Sequence, residues 1–148
     1  MIFTIDSNIL VYAFEQGQHQ ATARRIAFGG TAFGLILTNQ VIGEFFNVIR
    51  RKHPEHLEEA DRAVASWLRI VPIAPTVSLD LLAAVRLAER YKLQFWDSVI
   101  LTVAGSAGVD VMLSEDMGDG ATYGGVKVIN PFLPHNRAEL DALLTPAS

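Results

Sequence analysis

The chain has 148 residues, with 12 Lys and Arg against 16 Asp and Glu, so its formal net charge is -4. Hydrophobic residues make up 50% of it and charged residues 19%, which fits one compact domain over residues 1–148 and excludes a mostly disordered chain. The lack of cysteine excludes disulfides and thiolate-bound zinc. The acidic balance disfavours nucleic-acid binding, because phosphate backbones attract clusters of Lys and Arg.

The sequence predicts neither a signal peptide nor a membrane span. Asp6 lies where a signal peptide would need basic residues and a longer apolar run. Apolar runs elsewhere stop well short of the roughly 20 residues that cross a bilayer. We therefore expect a soluble, cytoplasmic protein with no membrane partner.

Short apolar strands alternate with helices along the chain. Strands are predicted at residues 2–5, 35–37, 70–73, 110–113 and 126–129. Helices are predicted after residues 6–8 and at 19–28, 39–52, 55–68, 78–91, 96–107 and 136–144, with a Gly-rich loop at 114–125. Because parallel strands need crossover connections, this order predicts a three-layer α/β/α sandwich around a central, mainly parallel sheet.

Two of the predicted strands end in acids. Asp6 directly follows the first strand, and Asp116 follows the strand at 110–113 after a Ser-Glu step. The functional crevice of an open parallel sheet lies beyond the carboxyl ends of its strands. We therefore expect both acids at the same edge.

Two helical acids lie beside the predicted core. Glu44 has Val41 three residues before it and Val48 four after, and Asp97 is in line with Ile100 on its helix. Ionised carboxylates near a core are costly unless they are paired or bound to metal. The nearby segments offer few basic partners, and oxygen ligands suit Mg²⁺ or Mn²⁺. The acids as a set therefore favour a metal site.

Each acid also has a plain structural explanation. Asp6 and Asp97 suit helix N-caps, Glu44 has a potential partner in Arg51, and turn chemistry alone explains acids in the loop at 114–125. Under this explanation the chain is a non-catalytic binding module. A phosphatase-like hydrolase with Asp6 as nucleophile is a further alternative, which the lack of a second acid two residues later disfavours.

Basic and aromatic residues offer a second set of candidates. The clustered cations are Arg24, Arg25, Arg50, Arg51 and Lys52. Such clusters are typical of solvated helix faces, and the alternative is a rim that guides phosphates. Phe95 and Trp96 are predicted to pack together at the start of a helix, with stacking on a nucleobase as the alternative.

Six short segments, in order and spacing, resemble the PIN-domain ribonucleases, specifically the VapC toxins of toxin–antitoxin pairs. The segments are Ile5–Leu10, Gly43–Phe45, Phe95–Ser98, Leu113–Met117, Tyr123–Val126 and Asn130–Phe132. They span essentially the whole chain. The family usually has Thr at the position of Ser7, a change that keeps the hydroxyl.

The resemblance implies an endoribonuclease that uses Mg²⁺ or Mn²⁺ to hydrolyse RNA. It implies that the metal-binding acids are Asp6, Glu44, Asp97 and Asp116, with Asp119 as an additional candidate. Glu44 is expected as a ligand or as the general base, and the expected polar neighbours are Ser7, Asn8 and Ser114. The implied partners are RNA, a cognate antitoxin that covers the acidic site, and a second copy in a homodimer. The basic clusters would seat the RNA.

Overall fold

The computed structural model describes residues 1–146 of the chain. The strands in this part are β1 (Phe3–Ile5), β2 (Leu37–Thr38), β3 (Ile73–Ala74), β4 (Val111–Leu113), β5 (Thr122–Tyr123) and β6 (Val126–Ile129). The α-helices are α1 (Ser7–Tyr12), α2 (Gln20–Ala27), α3 (Asn39–Lys52), α4 (Leu57–Ile70), α5 (Ser78–Tyr91), α6 (Phe95–Ser106) and α7 (Arg137–Leu143). Within residues 1–146, no helix is both long enough and apolar enough to cross a membrane.

The sheet is mainly parallel, with β4 at its centre. β4 pairs in parallel with β1 on one side and β6 on the other, and β5 adds an antiparallel edge. β2 and β3 form a second parallel pair, which a bridge between Phe3 and Leu35 connects to β1. This topology confirms the predicted α/β fold with a mainly parallel central sheet. It also brings the carboxyl ends of β1 and β4 side by side.

The central strands and their covering helices form one core. All residues of β1 and β4 are buried, as expected for parallel strands covered on both faces. Trp67 of α4 packs against Phe28 and Phe45, with ring centroids 5.7 and 5.4 Å away. Its indole N–H donates a hydrogen bond to the Ala27 carbonyl oxygen over 2.9 Å. Trp67 thus joins α4 to α2 and α3 in this core.

Two predicted strands are shorter in the structure than in the sequence pattern. The strand predicted at 35–37 appears as β2, with Leu35 only in an isolated bridge. The extended segment predicted at 70–73 keeps only Ile73 in β3, because α4 continues through Ile70.

The predicted loop at 114–125 contains a strand. Gly124 and Gly125 adopt φ values of 54° and 85°, which close a tight turn between β5 and β6. Consecutive residues with positive φ are typical of two-residue hairpin turns. The glycine signal thus marks a hairpin rather than only a loop.

Helix α5 confirms the helix predicted at residues 78–91 but exposes much of its apolar surface. Its buried residues are Asp80 and Ala84, whereas Leu81, Leu82 and Val85 are exposed. The helical spacing of apolar residues identified the helix correctly. Within residues 1–146, however, no other element buries a large part of that apolar face.

Candidate active site

Asp6 and Ser114 lie side by side at the carboxyl edge of the sheet. They follow β1 and β4, whose register pairs Ile5 with Leu113. The Ser114 hydroxyl donates a hydrogen bond to Oδ2 of Asp6 over 3.1 Å. The backbone amide of Ser7 donates to Oδ1 over 2.7 Å, so Asp6 also serves as the N-cap of α1. With both oxygens engaged and 6% of the residue exposed, Asp6 is poorly placed to act as a nucleophile.

Asp116 joins this pair through the turn after β4. Its backbone amide donates to the Ser114 hydroxyl oxygen over 3.2 Å. The side-chain amide of Asn8 donates to Oδ2 of Asp116 over 2.7 Å. Ser114 and Asn8 therefore contact the acids directly, whereas Ser7 contributes its backbone amide.

Glu44 lies half-buried on α3 and is held by a residue that the sequence did not single out. The side-chain amide of Gln40, one helical turn earlier, donates to Oε1 of Glu44 over 2.7 Å. The same Gln40 nitrogen lies 3.2 Å from the Trp96 carbonyl oxygen, to which it also donates. Gln40 thus links α3 to the first turn of α6, where Asp97 lies.

The four acids influence one another electrostatically. The pKa of Asp6 is raised to about 6, chiefly by burial, and the charges of Asp97 and Glu44 also raise it against the hydrogen bond from Ser7. Burial likewise raises the pKa of Asp97, with the charges of Glu44 and Asp116 acting in the same direction. Like charges disfavour ionisation only at short range. The structure therefore brings together the four acids that the sequence analysis selected.

These four carboxylates have no cationic partner in the part of the chain that the structure describes. The ion pairs there involve other acids, and Glu44 does not pair with Arg51. Unpaired oxygen donors suit a hard divalent cation. In residues 1–146, no three Asp, Glu or His side chains converge tightly enough to form a preformed metal cluster. The acids line an open edge rather than a closed cage.

Asp119 lies in a different network from the four acids. Its Oδ1 accepts hydrogen bonds from the Asn130 amide over 2.8 Å and from the Asn136 side chain over 2.7 Å. Its Oδ2 lies 3.0 Å from Nε2 of His135. The Asn130 hydrogen bond is the main reason why the pKa of Asp119 is lowered. Asp119 therefore joins the loop after β4 to the turn before α7, and we leave it out of the ligand set.

The predicted basic residues divide into two groups. Arg24 donates to the Ala13 carbonyl oxygen over 2.9 Å and lies over the Phe28 ring. Arg25 forms an ion pair with Asp141 at 2.6 Å. The remaining three, Arg50, Arg51 and Lys52, are exposed on the last turn of α3. Only this second group is unengaged within residues 1–146.

The structure confirms that Phe95 and Trp96 pack together at the start of α6, although Trp96 remains largely in solvent. Phe95 packs in part against a small apolar cluster, whereas Trp96 is 53% exposed. The two rings contact each other edge to face, with centroids 5.1 Å apart. Phe95 therefore contacts the indole without burying it.

A second unpredicted network braces the turn that carries Asp116. The Tyr12 hydroxyl donates a hydrogen bond to Glu115, whose other carboxylate oxygen lies 3.9 Å from Nε2 of His19. The His19 ring stacks on Phe132 with centroids 4.0 Å apart. The hydrogen bond to Glu115 is the main reason why the pKa of Tyr12 is raised to about 12, which keeps this donor protonated.

A mainly parallel sheet with acids at its carboxyl edge is the arrangement expected of α/β proteins that bind ligands or cations there. The family profile described as PIN domain matches residues 3–118, a range that contains all four acids. The chain belongs to the PIN domain family. No curated protein sequence matches it.

Solved structures of toxins and toxin–antitoxin complexes share this fold. VapC20 of Mycobacterium tuberculosis, described as a sarcin–ricin loop cleaving toxin, is 18% identical with a TM-score of 0.64, over 77% of this chain and 91% of that chain. A toxin–antitoxin complex from Klebsiella pneumoniae is 21% identical with a TM-score of 0.65, over 87% and 97%. VapBC2 from Rickettsia felis, bound to a promoter DNA fragment, is 13% identical with a TM-score of 0.60, over 86% and 97%.

Proposed function

We propose that this protein is a metal-dependent endoribonuclease that acts as the toxin of a toxin–antitoxin pair. The observation that carries the proposal is the placement of Asp6, Glu44, Asp97 and Asp116 within electrostatic reach of one another at one edge, without a cationic partner in residues 1–146. Unpaired buried charge is costly, and a divalent cation at this edge would remove that cost. Membership of the PIN domain family and the fold shared with VapC20 support the same function.

The proposed ligands are Asp6, Asp97 and Asp116. Bound Mg²⁺ or Mn²⁺ would supply Lewis acidity that activates water and stabilises charge on the phosphate. Ser114 holds Asp6 and Asp116 in fixed relation. Glu44, oriented by its hydrogen bond from Gln40, is a further ligand or the base that accepts a proton from the attacking water.

Cleavage of RNA by the purified chain tests this function. We expect activity with Mn²⁺ or Mg²⁺, loss of activity in EDTA, and a loss of about 100-fold or more in Asp6→Asn. Asp61→Asn is the matched control, because Asp61 is an exposed acid on α4, outside the site. Cleavage that survives both EDTA and Asp6→Asn contradicts the proposal.

The alternative of a non-catalytic binding module draws support from the capping role of Asp6. Thermal melting separates the two functions, because a ligand that binds only the folded state raises the melting temperature. The nuclease predicts that millimolar Mn²⁺ raises the melting temperature of the wild type and has little effect on Asp6→Asn. An unchanged wild-type melting temperature, together with no cleavage, favours the binding module.

The proposed protein partners are a cognate antitoxin and a second copy of the chain. The Klebsiella pneumoniae and Rickettsia felis structures are assemblies of a toxin with its antitoxin. On this chain, Leu79, Leu81, Leu82 and Val85 leave an apolar face of α5 exposed, as is typical of protein contact sites. Light scattering should give twice the mass of the 16.2 kDa chain, and Leu82→Glu should give the monomer. A monomeric wild type at tens of micromolar contradicts the homodimer.

A further inference from the structure

The two tryptophans of the chain lie in opposite environments. Trp67 is 1% exposed within the core, whereas Trp96 is 53% exposed on the first turn of α6. An exposed indole leaves a large apolar surface in contact with water, which burial or stacking would remove. Trp96 directly precedes Asp97, one of the four acids.

The backbone at Trp96 is fixed to the acidic edge. The Gln40 side chain that orients Glu44 also donates to the Trp96 carbonyl oxygen over 3.2 Å. Phe95, half-buried beneath the start of α6, supports the indole edge to face. Trp96 is therefore an aromatic ring on a regular helix, tied to the same residue that holds Glu44, rather than a side chain on a free loop.

We propose that Trp96 is a stacking platform for an unpaired nucleobase next to the phosphodiester at the acidic edge. The inference rests on the proposed nuclease function and names Trp96 as a residue that binds its substrate. Without a bound cation, an edge lined with carboxylates repels the phosphate backbone, so a contact that does not depend on charge contributes to affinity there. Stacking on an aromatic ring provides such a contact for any base.

The neighbours of Trp96 favour RNA over a protein as the occupant. Gln40, which donates to its carbonyl oxygen, and Asp97, which follows it, are polar or acidic, and its aromatic neighbour Phe95 is half-buried. The exposed apolar residues that suit a protein contact belong to another helix, α5. A single aromatic ring among polar groups provides one stacking surface rather than the apolar centre of a protein interface.

Tryptophan fluorescence and RNA binding test the platform. The probe is a single-stranded RNA of about ten nucleotides, within the usual length of single-strand sites, and binding is measured in EDTA so that metal-dependent cleavage is stopped. Because Trp67 is buried, acrylamide should quench mainly Trp96 in the full chain. We expect RNA to protect Trp96 from acrylamide, and an abasic strand of equal length to give no protection.

Substitutions supply the second measurement. Trp96→Ala should weaken RNA binding roughly 5- to 100-fold, the range expected for one stacked base, and Trp96→Phe should restore most of the affinity. Leu68→Ala, at an exposed apolar residue of α4 outside the proposed contact surfaces, is the matched control and should bind as the wild type does. Circular dichroism should show that every variant is folded.

The results that would contradict a stacking role for Trp96 differ from those that would contradict the nuclease function. Equal affinity of Trp96→Ala and wild type, without protection from acrylamide, overturns the platform even if the wild type cleaves RNA. Protection of Trp96 that rises with protein concentration in the absence of RNA also overturns it, since the occupant is then another copy of the chain. Protection by RNA in a chain that cleaves nothing with either metal supports the platform and removes the nuclease.

Discussion

Ser114 and Asp6 share a 3.1 Å hydrogen bond that joins the ends of two neighbouring parallel strands. The same hydroxyl oxygen accepts the backbone amide of Asp116 over 3.2 Å. A single buried hydroxyl thus fixes the relation between one buried acid and one exposed acid. Ser114 need not touch the substrate, but its hydrogen bonds fix the positions of the two carboxylates.

Removing the Ser114 hydroxyl should weaken both stability and cleavage. Ser114→Ala leaves the Asp116 amide and one Asp6 oxygen without their partner, at a cost of about 1–3 kcal/mol in the free energy of unfolding. Urea denaturation measures this loss, with exposed Ser106→Ala as the control. Cleavage should fall more in Ser114→Ala than in Ser106→Ala when both are measured well below their melting temperatures. Equal cleavage by the two variants contradicts a positioning role.

The pKa of Asp6 makes stability fall as pH rises in the absence of metal. The folded state raises this pKa from 3.8 to about 6, so between these values the folded chain binds a proton that the unfolded chain has lost. The free energy of unfolding therefore declines across this window, by up to about 3 kcal/mol from this group.

Melting curves from pH 4 to pH 7.5 in EDTA measure this effect. We expect Asp6→Asn to lack this part of the decline and to melt at a higher temperature than the wild type at pH 7. Parallel pH profiles for the two chains would rule out a raised Asp6 pKa.

Asp119 should matter for stability rather than for cleavage. Asp119→Ala removes the acceptor for Asn130 and Asn136, at a cost of about 1 kcal/mol, because these hydrogen bonds are exposed or only partly buried. Since its pKa is lowered in the folded state, the stability it contributes is present above pH 3.8 and is lost as pH falls further. Urea denaturation at pH 7 and cleavage at low temperature separate the two effects. A large loss of cleavage in a folded Asp119→Ala would return this residue to the ligand set.

Substitutions of the basic residues should affect either RNA binding or stability, depending on the contacts that each side chain makes. A triple variant should bind RNA more weakly; it combines Arg50→Ala, Arg51→Ala and Lys52→Ala. If all three side chains reach phosphates, the slope of log binding constant against log salt concentration should become shallower by up to about 2. Arg24→Ala should instead lower stability by about 1 kcal/mol, because Arg24 bonds the Ala13 carbonyl. Filter binding of RNA at several salt concentrations measures the slope. An unchanged slope in the triple variant shows that α3 does not seat RNA.

The central acids were predictable because local signals determine their position. Asp6 follows β1, and Glu44 and Asp97 lie at helical spacing from buried residues. Gln40 was not predictable, since its second contact, with Trp96, depends on how α3 packs against α6. Tyr12 and Glu115 are 103 residues apart, and no local pattern pairs them.

Asp119 and α5 show where local signals mislead. An acid among glycines fits a ligand or a turn equally well, and only the position of Asn136 decides between them. The apolar spacing of Leu81 and Val85 identifies a helix but does not say whether a neighbour covers it.

The hydrogen bond between Asp6 and Ser114 spans 108 residues of sequence. A ribosome must therefore pass β4 before this strand can pair with β1 and bring the acids into register. Contacts of such long range form late in folding, because the intervening chain must first be ordered. Nascent chains that have not reached β4 would have no assembled site, so a cell making this protein would be exposed to its proposed activity only after synthesis has passed Ser114.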